Sequence, residues 1–343
     1  MNTGVKAGAV VLGWVMGLST AWAQGSLTPP GAPAPTMKSL SQVEPRTPIT
    51  SAPYTISAPG SYYLTTNLTS TGHGVIIATN GVTLDLMGFT LTGNRGSGDC
   101  GVLLNGATNA PIYDVVVRNG IMRNFGNGVH AAYSKRSRFE QLIAASNVYY
   151  GVWLNGKSGQ CGGNTIANCT ISGNASYGVY LNGYSGQCNG NTIAHCTVSG
   201  NASYGVWLDG YLGQCNGNTI TDCTVSDNAD YGVEFYGGSG QCNGNSIASC
   251  TISDNANDGI YMYYANGNRV EGNHVTGQTG SPTYGIYCAG TANNLIVRNT
   301  CVGQTTNFVM NANDTYGPVV TSSGALATTN GAAALSPWAN FSR

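Results

Sequence analysis

The chain has 343 residues, long enough for one large or two medium domains, yet only 8% are charged, while 50 are Gly and 20 are Tyr. At 41% hydrophobic content it can bury a long core, which excludes a disordered polymer. A net charge of −1 gives no electrostatic reason to expect nucleic acid or an anionic membrane surface as partner.

The first 23 residues read as a secretory signal. Lys6 supplies the positive charge, Ala7 to Leu18 is apolar, and Ala21-Trp22-Ala23 gives the small-x-small pattern for cleavage before Gln24. The apolar run is shorter than the roughly 18 residues a membrane span wants, so export to the periplasm or the exterior is expected. Residues 24–52 form a leader. Pro29, Pro30, Pro33 and Pro35 exclude a helix interior or central strand there. Met37, Leu40 and Val43, at three-residue spacing, predict a short amphipathic turn or helix that caps the next segment.

The centre of the sequence is a repeat. Residues 147–173, 174–200, 201–227 and 228–254 are four gapless units of 27, typified by NASYGVYLNGYSGQCNGNTIAHCTVSG at 174–200. Repeats of this length bury their apolar edges by stacking on their neighbours, which defines a solenoid. Local alternation decides which one. Val179 and Leu181 point inward and Tyr180 and Asn182 outward, and Ile193, Cys196 and Val198 offer a second inward set across a bend. No helical period is sustained, so the fold class is all-β, a single-stranded right-handed parallel β-helix. Weaker copies on both sides, including Gly81–Leu86, Gly101–Leu104, Gly128–Ala131, Asn255–Gly277 and Tyr284–Cys288, extend it over residues 53–310. That gives about ten coils and roughly 45–50 Å of stack at ~4.8 Å per coil. Residues 311–343 are a tail or cap.

The unit N-x-x-x-G-[IV]-x-L…N-x-I-x-x-[NC]-x-[IV] resembles the parallel β-helix repeat of the pectin-lyase-like superfamily, and Tyr54–Leu64 and Gly81–Gly93 look like its first coils. The resemblance spans about three-quarters of the chain. It implies fold and not activity, because this fold carries lyases, hydrolases, epimerases, adhesins and proteins with no reaction. It also implies that Cys169, Cys196, Cys223 and Cys250 occupy an inward corner that the family commonly fills with a ladder of Asn. Asn273 and Asn299 hold that corner in later coils and Asn119 in an earlier one, and here Cys serves as a small buried hydrophobe.

Cys161, Cys188, Cys215 and Cys242 fall in a loop expansion and are expected to be more exposed. Equivalent Cα atoms ~4.8 Å apart lie inside the disulfide range, so this is a candidate disulfide column, pairing Cys161 with Cys188 and Cys215 with Cys242. A link within one coil, of the Cys188–Cys196 kind, is the rival. Zinc is disfavoured because the column is linear and lacks CxxC spacing. Cys100, Cys288 and Cys301 read as single core residues.

In-register stacking also makes surface columns. One reads His130, Trp153, Tyr180, Trp207, Glu234, Tyr261, Tyr287; the next Asn155, Asn182, Asp209, Tyr236, Tyr263; a third Tyr150, Tyr177, Tyr204, Tyr231, Asp258. Trp153, Tyr180, Trp207 and Tyr261 with Asn155 and Asn182 are the candidate carbohydrate-binding residues: rings to stack on and amides for hydroxyls. Structural stacking within a parallel sheet is the competing reading. Asp209 and Glu234, offset by one coil and two residues, sit roughly 8 Å apart at Cα, within reach of a glycosidase pair. They are the candidate catalytic acids, against the reading that they are scattered solvated acids like Asp222, Asp227, Asp230 and Asp254. Gly72-His73-Gly74 is similar to a short polygalacturonase motif, but its acidic and Arg-x-Lys companions are absent. Arg118, Arg123, Lys135, Arg136 and Arg138 precede most of the acids. His195 and His274 read as solvated. No metal or other cofactor is expected beyond a weak calcium site in the acid-rich coils 209–271, and a copper-delivery role lacks a His/Met cluster. The functional expectation is an exported, non-catalytic protein that binds carbohydrate or is structural. The alternative is a lyase or glycoside hydrolase acting on an acidic or plant-type polysaccharide.

Overall fold

The computed structural model describes residues 45–321 and 336–343. The signal segment, the Pro-rich run and the helix expected near Met37 lie outside the described residues. Arg46–Arg343 form one unit, a parallel β-solenoid of about nine turns with no helix among the described residues.

Each 27-residue unit folds as one turn, and the unit 174–200 shows why. Val179–Asn182 joins an eleven-stranded sheet, Gln187–Asn189 a four-stranded sheet, and Thr192–Ala194 and Thr197–Ser199 a 22-stranded sheet. Every strand pairing is parallel, and register advances by one repeat: Val179 lies beside Val152 and Val206, Ile193 beside Ile166 and Ile220. Alternation puts Val179, Leu181, Ile193 and Val198 in a continuous core at 0–1% exposure.

The corners need left-handed backbone, and the sequence supplies it four times per 27-residue unit, at Ser185, Gly190, His195 and Gly200 in the unit 174–200. Gly163, Gly190, Gly217 and Gly244 take φ of 63 to 67° at one corner. At another, Gly173 and Gly200 give way to Asp227 and Asp254 at φ 56 and 57°. The third is held by Asn119, Gln141, Asn168, His195, Asp222 and Ser249 at φ 53 to 58°. Asn119 is therefore an exposed corner residue and not an inward one, because Gly120 is the position that pairs toward Leu142 in the next turn. Asp222, Asp227 and Asp254 are turn residues, as Asp tolerates this region better than most side chains. His195 and His274 are exposed.

Three buried Asn ladders run along the axis. In the first, Asn147, Asn174, Asn201, Asn228 and Asn255 are joined Nδ2 to Oδ1 at 2.9 Å per step. In the second, Asn164 to Asn268 repeat the bond at 3.0–3.1 Å. The third links Asn273, Asn299 and Asn340, and Asn273 accepts from the Cys250 backbone at 3.0 Å, so Cys250 does stand in line with it. The solenoid also overruns its expected limits. Thr47–Ile49 pairs with Tyr62–Leu64, and Asn340–Ser342 pairs with Thr300–Cys301.

The Gln-Cys segment is a strand and not an exposed loop. Gln160–Gly162 pairs in register with Gln187–Asn189, so the outer two residues of each face outward and Cys161 and Cys188 face in. Cys161, Cys188, Cys215 and Cys242 are at most 1% exposed, which corrects the expectation of exposure. All eleven cysteines are free thiols.

Candidate functional site

The eleven-stranded sheet presents the face that carries the aromatic columns. In each strand the first and third residues enter the core, leaving Trp153, Tyr180, Trp207, Glu234 and Tyr261 pointing out. Pointing out is not the same as being exposed. Tyr180 is 7% exposed, Asn182 4%, Asp209 3% and Glu234 4%. The cover comes from the Tyr before each turn Gly. Tyr150 meets Trp153 edge-on at 5.4 Å, Tyr177 meets Tyr180 at 5.4 Å, and Tyr204 meets Trp207 at 5.5 Å.

Ring orientation follows from the repeat distance. Coils ~4.8 Å apart are too close for rings to lie flat side by side, so the rings stand on edge and stack along the axis. His130, Trp153, Tyr180 and Trp207 stack at centroid distances of 4.0, 6.2 and 4.7 Å with planes within 9°. The outer row Tyr150, Tyr177, Tyr204, Tyr231 stacks at 5.1, 5.1 and 5.5 Å. The faces are consumed by neighbouring rings, and the wall shows edges and hydroxyls to solvent. The indole Nε1 atoms of Trp153 and Trp207 are buried without a partner.

The two columns break at adjacent turns, and carboxyls fill the gaps. Glu234 takes the Trp position between Trp207 and Tyr261, and Asp258 takes the Tyr position that follows Tyr231. Burial, with the charges of Asp230 and Asp209 behind it, pushes the Glu234 carboxyl up to about 8. Burial likewise raises Asp258 to about 6 and lifts Asp209 and Asp230. On the same face burial lowers His130 to about 4, so it is neutral.

Asp209 and Glu234 do sit on adjacent turns two residues apart, as the sequence predicts, but they are not equivalent acids. Asp209 Oδ1 accepts from the Tyr211 backbone at 2.9 Å, the bond that Asn155 and Asn182 make to the backbones of Lys157 and Tyr184. Its other oxygen accepts from Tyr180 Oη at 2.9 Å. Both oxygens are committed to a corner, and the column Asn155, Asn182, Asp209 is a set of turn residues. Asn155 Nδ2 additionally contacts His130 Nε2 at 3.2 Å. The role of Asp209 was readable from its alignment with Asn155 and Asn182. The covering Tyr row was present in the third column but carried no sign that it would close over the first.

A second surface feature lies on the edge carrying the four-stranded sheet. A cleft of about 520 Å³ is lined by Lys135, Ser158, Gln160, Ser185, Gln187 and Gln214, among others. Elsewhere, His73 Nδ1 accepts from the Cys100 backbone at 3.1 Å, a structural role for the Gly-His-Gly segment.

Fold and site thus define a parallel β-helix protein with a layered aromatic wall. Residues 61–243, more than half of the chain, match the family described as periplasmic copper-binding protein (NosD), and the chain belongs to that family. Residues 211–342 match the right-handed β-helix region family. None of the curated proteins matches. Among solved structures, the A-module of mannuronan C-5 epimerase AlgE6 from Azotobacter vinelandii aligns with a TM-score of 0.56 at 18% identity, covering 79% of this chain and 88% of that one. The periplasmic alginate epimerase AlgG gives 0.60 at 12%, over 75% and 68%. Pectate lyase Pel9A gives 0.51 at 16%, over 74% and 66%. At these identities the likeness is one of fold.

The family description names copper, so the donor set has to be tested against it. Among the described residues no three His, Cys, Asp or Glu gather into a group able to hold a metal ion. Thiolates are the donors copper(I) prefers. All eleven cysteines are free and buried, and none of them joins such a group among the described residues.

Proposed function

We propose that this is an exported, non-catalytic β-helix protein that holds an extended, uncharged polysaccharide along the aromatic wall. One observation carries the reading: the outer Tyr row, repeating at 5.1 to 5.5 Å over four turns, is a straight track of ring edges and hydroxyls. Tyr177 and Tyr204 hydroxyls meet sugar hydroxyls. Trp153, Tyr180, Trp207 and Tyr261 act as the rigid backing that fixes the row, and Asn155 and Asn182 hold its corner. No Lys or Arg occupies the three columns between residues 127 and 287, and the carboxyls of Asp230 and Asp258 repel anions, so a neutral polymer is favoured over a uronate. The two epimerases and the pectate lyase share the fold; what they act on is not carried over.

The test is affinity electrophoresis of the mature protein against neutral and uronic polysaccharides. Replacing Tyr177, Tyr204 and Tyr231 by Phe keeps the stack and removes the hydroxyls, and binding of the neutral polymer is expected to fall at least tenfold. Unchanged binding refutes the track.

A second reading is favoured by Glu234 alone. A buried carboxyl held near 8 is protonated at neutral pH, as a general acid requires. On this reading the protein is a polysaccharide lyase or hydrolase, with Asp230 or Asp258 as partner because Asp209 is committed. Release of reducing ends or unsaturated sugar that disappears in Glu234→Gln supports it; no release from any polysaccharide in the panel removes it.

A further inference from the structure

The edge that carries the four-stranded sheet lies on a different side of each turn from the aromatic wall, and it holds a groove of its own. The cleft of about 520 Å³ runs across the turns, and two rows of side chains line it. One row is Gln160, Gln187 and Gln214, which are register partners. The other is Ser158, Ser185 and Leu212, each two residues earlier. Gly159, Gly186 and Gly213 separate the rows. A Cβ on Gly186 would lie 2.1 Å from the Gly156 carbonyl oxygen of the preceding turn, and one on Gly213 2.1 Å from that of Gly183. Packing therefore keeps this strip bare, and the groove stays open.

The Gln amides are oriented. Gln160 Oε1 accepts from Lys135 Nζ at 2.5 Å, and Gln214 Oε1 accepts from Asn189 Nδ2 at 3.4 Å. Asn189 is itself fixed, because its Oδ1 accepts from the Asn216 backbone at 2.7 Å. Asn216 Nδ2 in turn donates to Gln241 Oε1 at 3.1 Å, so the arrangement repeats in the following turn. With the oxygens committed, the Nε2 groups of Gln160 and Gln214 are left to donate, and among the described residues they have no acceptor. Gln187, between them, makes no side-chain hydrogen bond among the described residues. The row offers one amide donor per turn at a spacing of ~4.8 Å.

Leu212 marks the same groove independently. It stands where the two preceding turns have Ser158 and Ser185, it is 51% exposed, and its φ of 55° lies in the left-handed region, which a bulky side chain enters at a cost. Neither burial nor backbone geometry favours Leu at that place. An apolar patch facing a row of hydrogen-bond donors does suit a sugar ring, which has C–H groups to cover and oxygens to satisfy. Charge sets the class of sugar. No carboxylate lines the cleft, and Lys135 does. Lys157, next to Ser158, lies over the Tyr184 ring at 5.2 Å, while Arg136 is paired with Asp114. This edge is the reverse of the aromatic wall, with its Asp230, Glu234 and Asp258, and its few cations are too sparse for the phosphates of a nucleic acid.

We propose that this groove binds a linear anionic polysaccharide, about one sugar per turn, independently of the aromatic wall. The acid groups of the polymer, carboxylate or sulfate, accept from the Nε2 donors of Gln160, Gln187 and Gln214 and from Lys135. A ring face lies against Leu212, and the Ser158 and Ser185 hydroxyls meet sugar hydroxyls. The spacing of the turns is close to the advance of one ring in an extended β-1,4-linked chain, so donors and acids stay in step over the length of the groove.

The experiment is titration calorimetry of the full chain with three soluble celluloses that share one backbone: carboxymethyl, sulfated and hydroxyethyl. Binding of a charged polymer is expected, weakening as salt rises, and the tighter of the two identifies the acid group. Gln160→Glu, Gln187→Glu and Gln214→Glu together keep the size of the side chains and turn donors into like charges. That variant should lose at least ~tenfold in affinity for the charged polymer and leave any binding of hydroxyethyl cellulose unchanged. Thr170→Glu, Thr197→Glu and Thr224→Glu put the same three charges on exposed, in-register positions of the 22-stranded sheet, and they should keep most of the affinity. Lys135→Gln serves if the Gln variant fails to fold; it should weaken binding and flatten the salt dependence. No binding of either charged polymer at low salt overturns the proposal. So do equal losses in the two triple variants, unchanged affinity in Lys135→Gln, or a matching loss of hydroxyethyl cellulose binding in the Gln variant.

Discussion

Asn201→Ala tests whether the amide ladders hold the turns together. Asn201 Oδ1 accepts from the backbone and side chain of Asn174 at 3.1 and 2.9 Å, and its Nδ2 donates to Asn228 Oδ1 at 2.9 Å and to the Ile171 carbonyl at 3.4 Å. Alanine removes all four bonds, but their consequences differ. Asn228 Oδ1 keeps the Asn201 backbone donor at 3.1 Å, and Asn174 Nδ2 keeps the Ala144 carbonyl at 3.1 Å. The Asn174 backbone N–H is left buried without an acceptor. An orphaned buried donor costs about 1–3 kcal/mol and each of the three remaining lost bonds about 1 kcal/mol, so a loss of about 4–6 kcal/mol is expected. Solenoid stability is a sum over neighbouring units, so the loss should be local. Native-state hydrogen exchange is the assay: amides in the turns from 174 to 228 should lose protection, while those near residues 60–90 keep theirs. Retained protection at Asn174 together with an unfolding free energy within about 1 kcal/mol of the parent would refute the ladder argument.

Three further outcomes follow from the same geometry. A methyl group on Gly178 would sit 2.4 Å from Val198 Cγ1 and 2.7 Å from the Gly205 carbonyl, so Gly178→Ala should lower stability by about 1–3 kcal/mol in denaturant titration. Glu234 is held near 8 in the fold against an ordinary value of 4.5. Below 4.5 both states are protonated; above it the unfolded chain ionises first, so stability falls as pH rises and levels off past 8. Glu234→Gln should abolish that slope, on the order of a few kcal/mol, in melts taken from pH 4 to 9, and an unchanged slope would show that Glu234 is not the group responsible. Trp207→Ala should remove polysaccharide binding by opening the backing behind Tyr177 and Tyr204, whereas Trp207→Phe, which refills the stack, should restore most of it; equal binding by all three would detach the wall from the function.

Much of the fold was legible because the repeat turns one-dimensional spacing into three-dimensional neighbours. Val152, Val179, Val206 and Val233 are aligned in sequence and touch in space, and so are Cys161 and Cys188. What failed was the sense of exposure. Alternation places Tyr180 outside the sheet correctly, but it cannot say that Tyr177 and Tyr150 will lie across it at 5.4 and 5.2 Å. The Gln-Cys-Asn segment looked like a loop because it is short and flanked by Gly, although its own alternation of polar, apolar and polar is that of a strand.

The sequence by itself determined the winding: a constant period with alternating apolar residues and left-handed corners admits one register, and that register lines up every column. Tertiary structure alone decided which columns are surface. A side chain's burial depends on rings and strands supplied by other parts of the same and neighbouring turns, and no spacing along the chain records how a ring tilts. For that reason the paired acids of the sequence became one turn residue, Asp209, and one desolvated carboxyl, Glu234, and the expected loop thiols became a column inside the core.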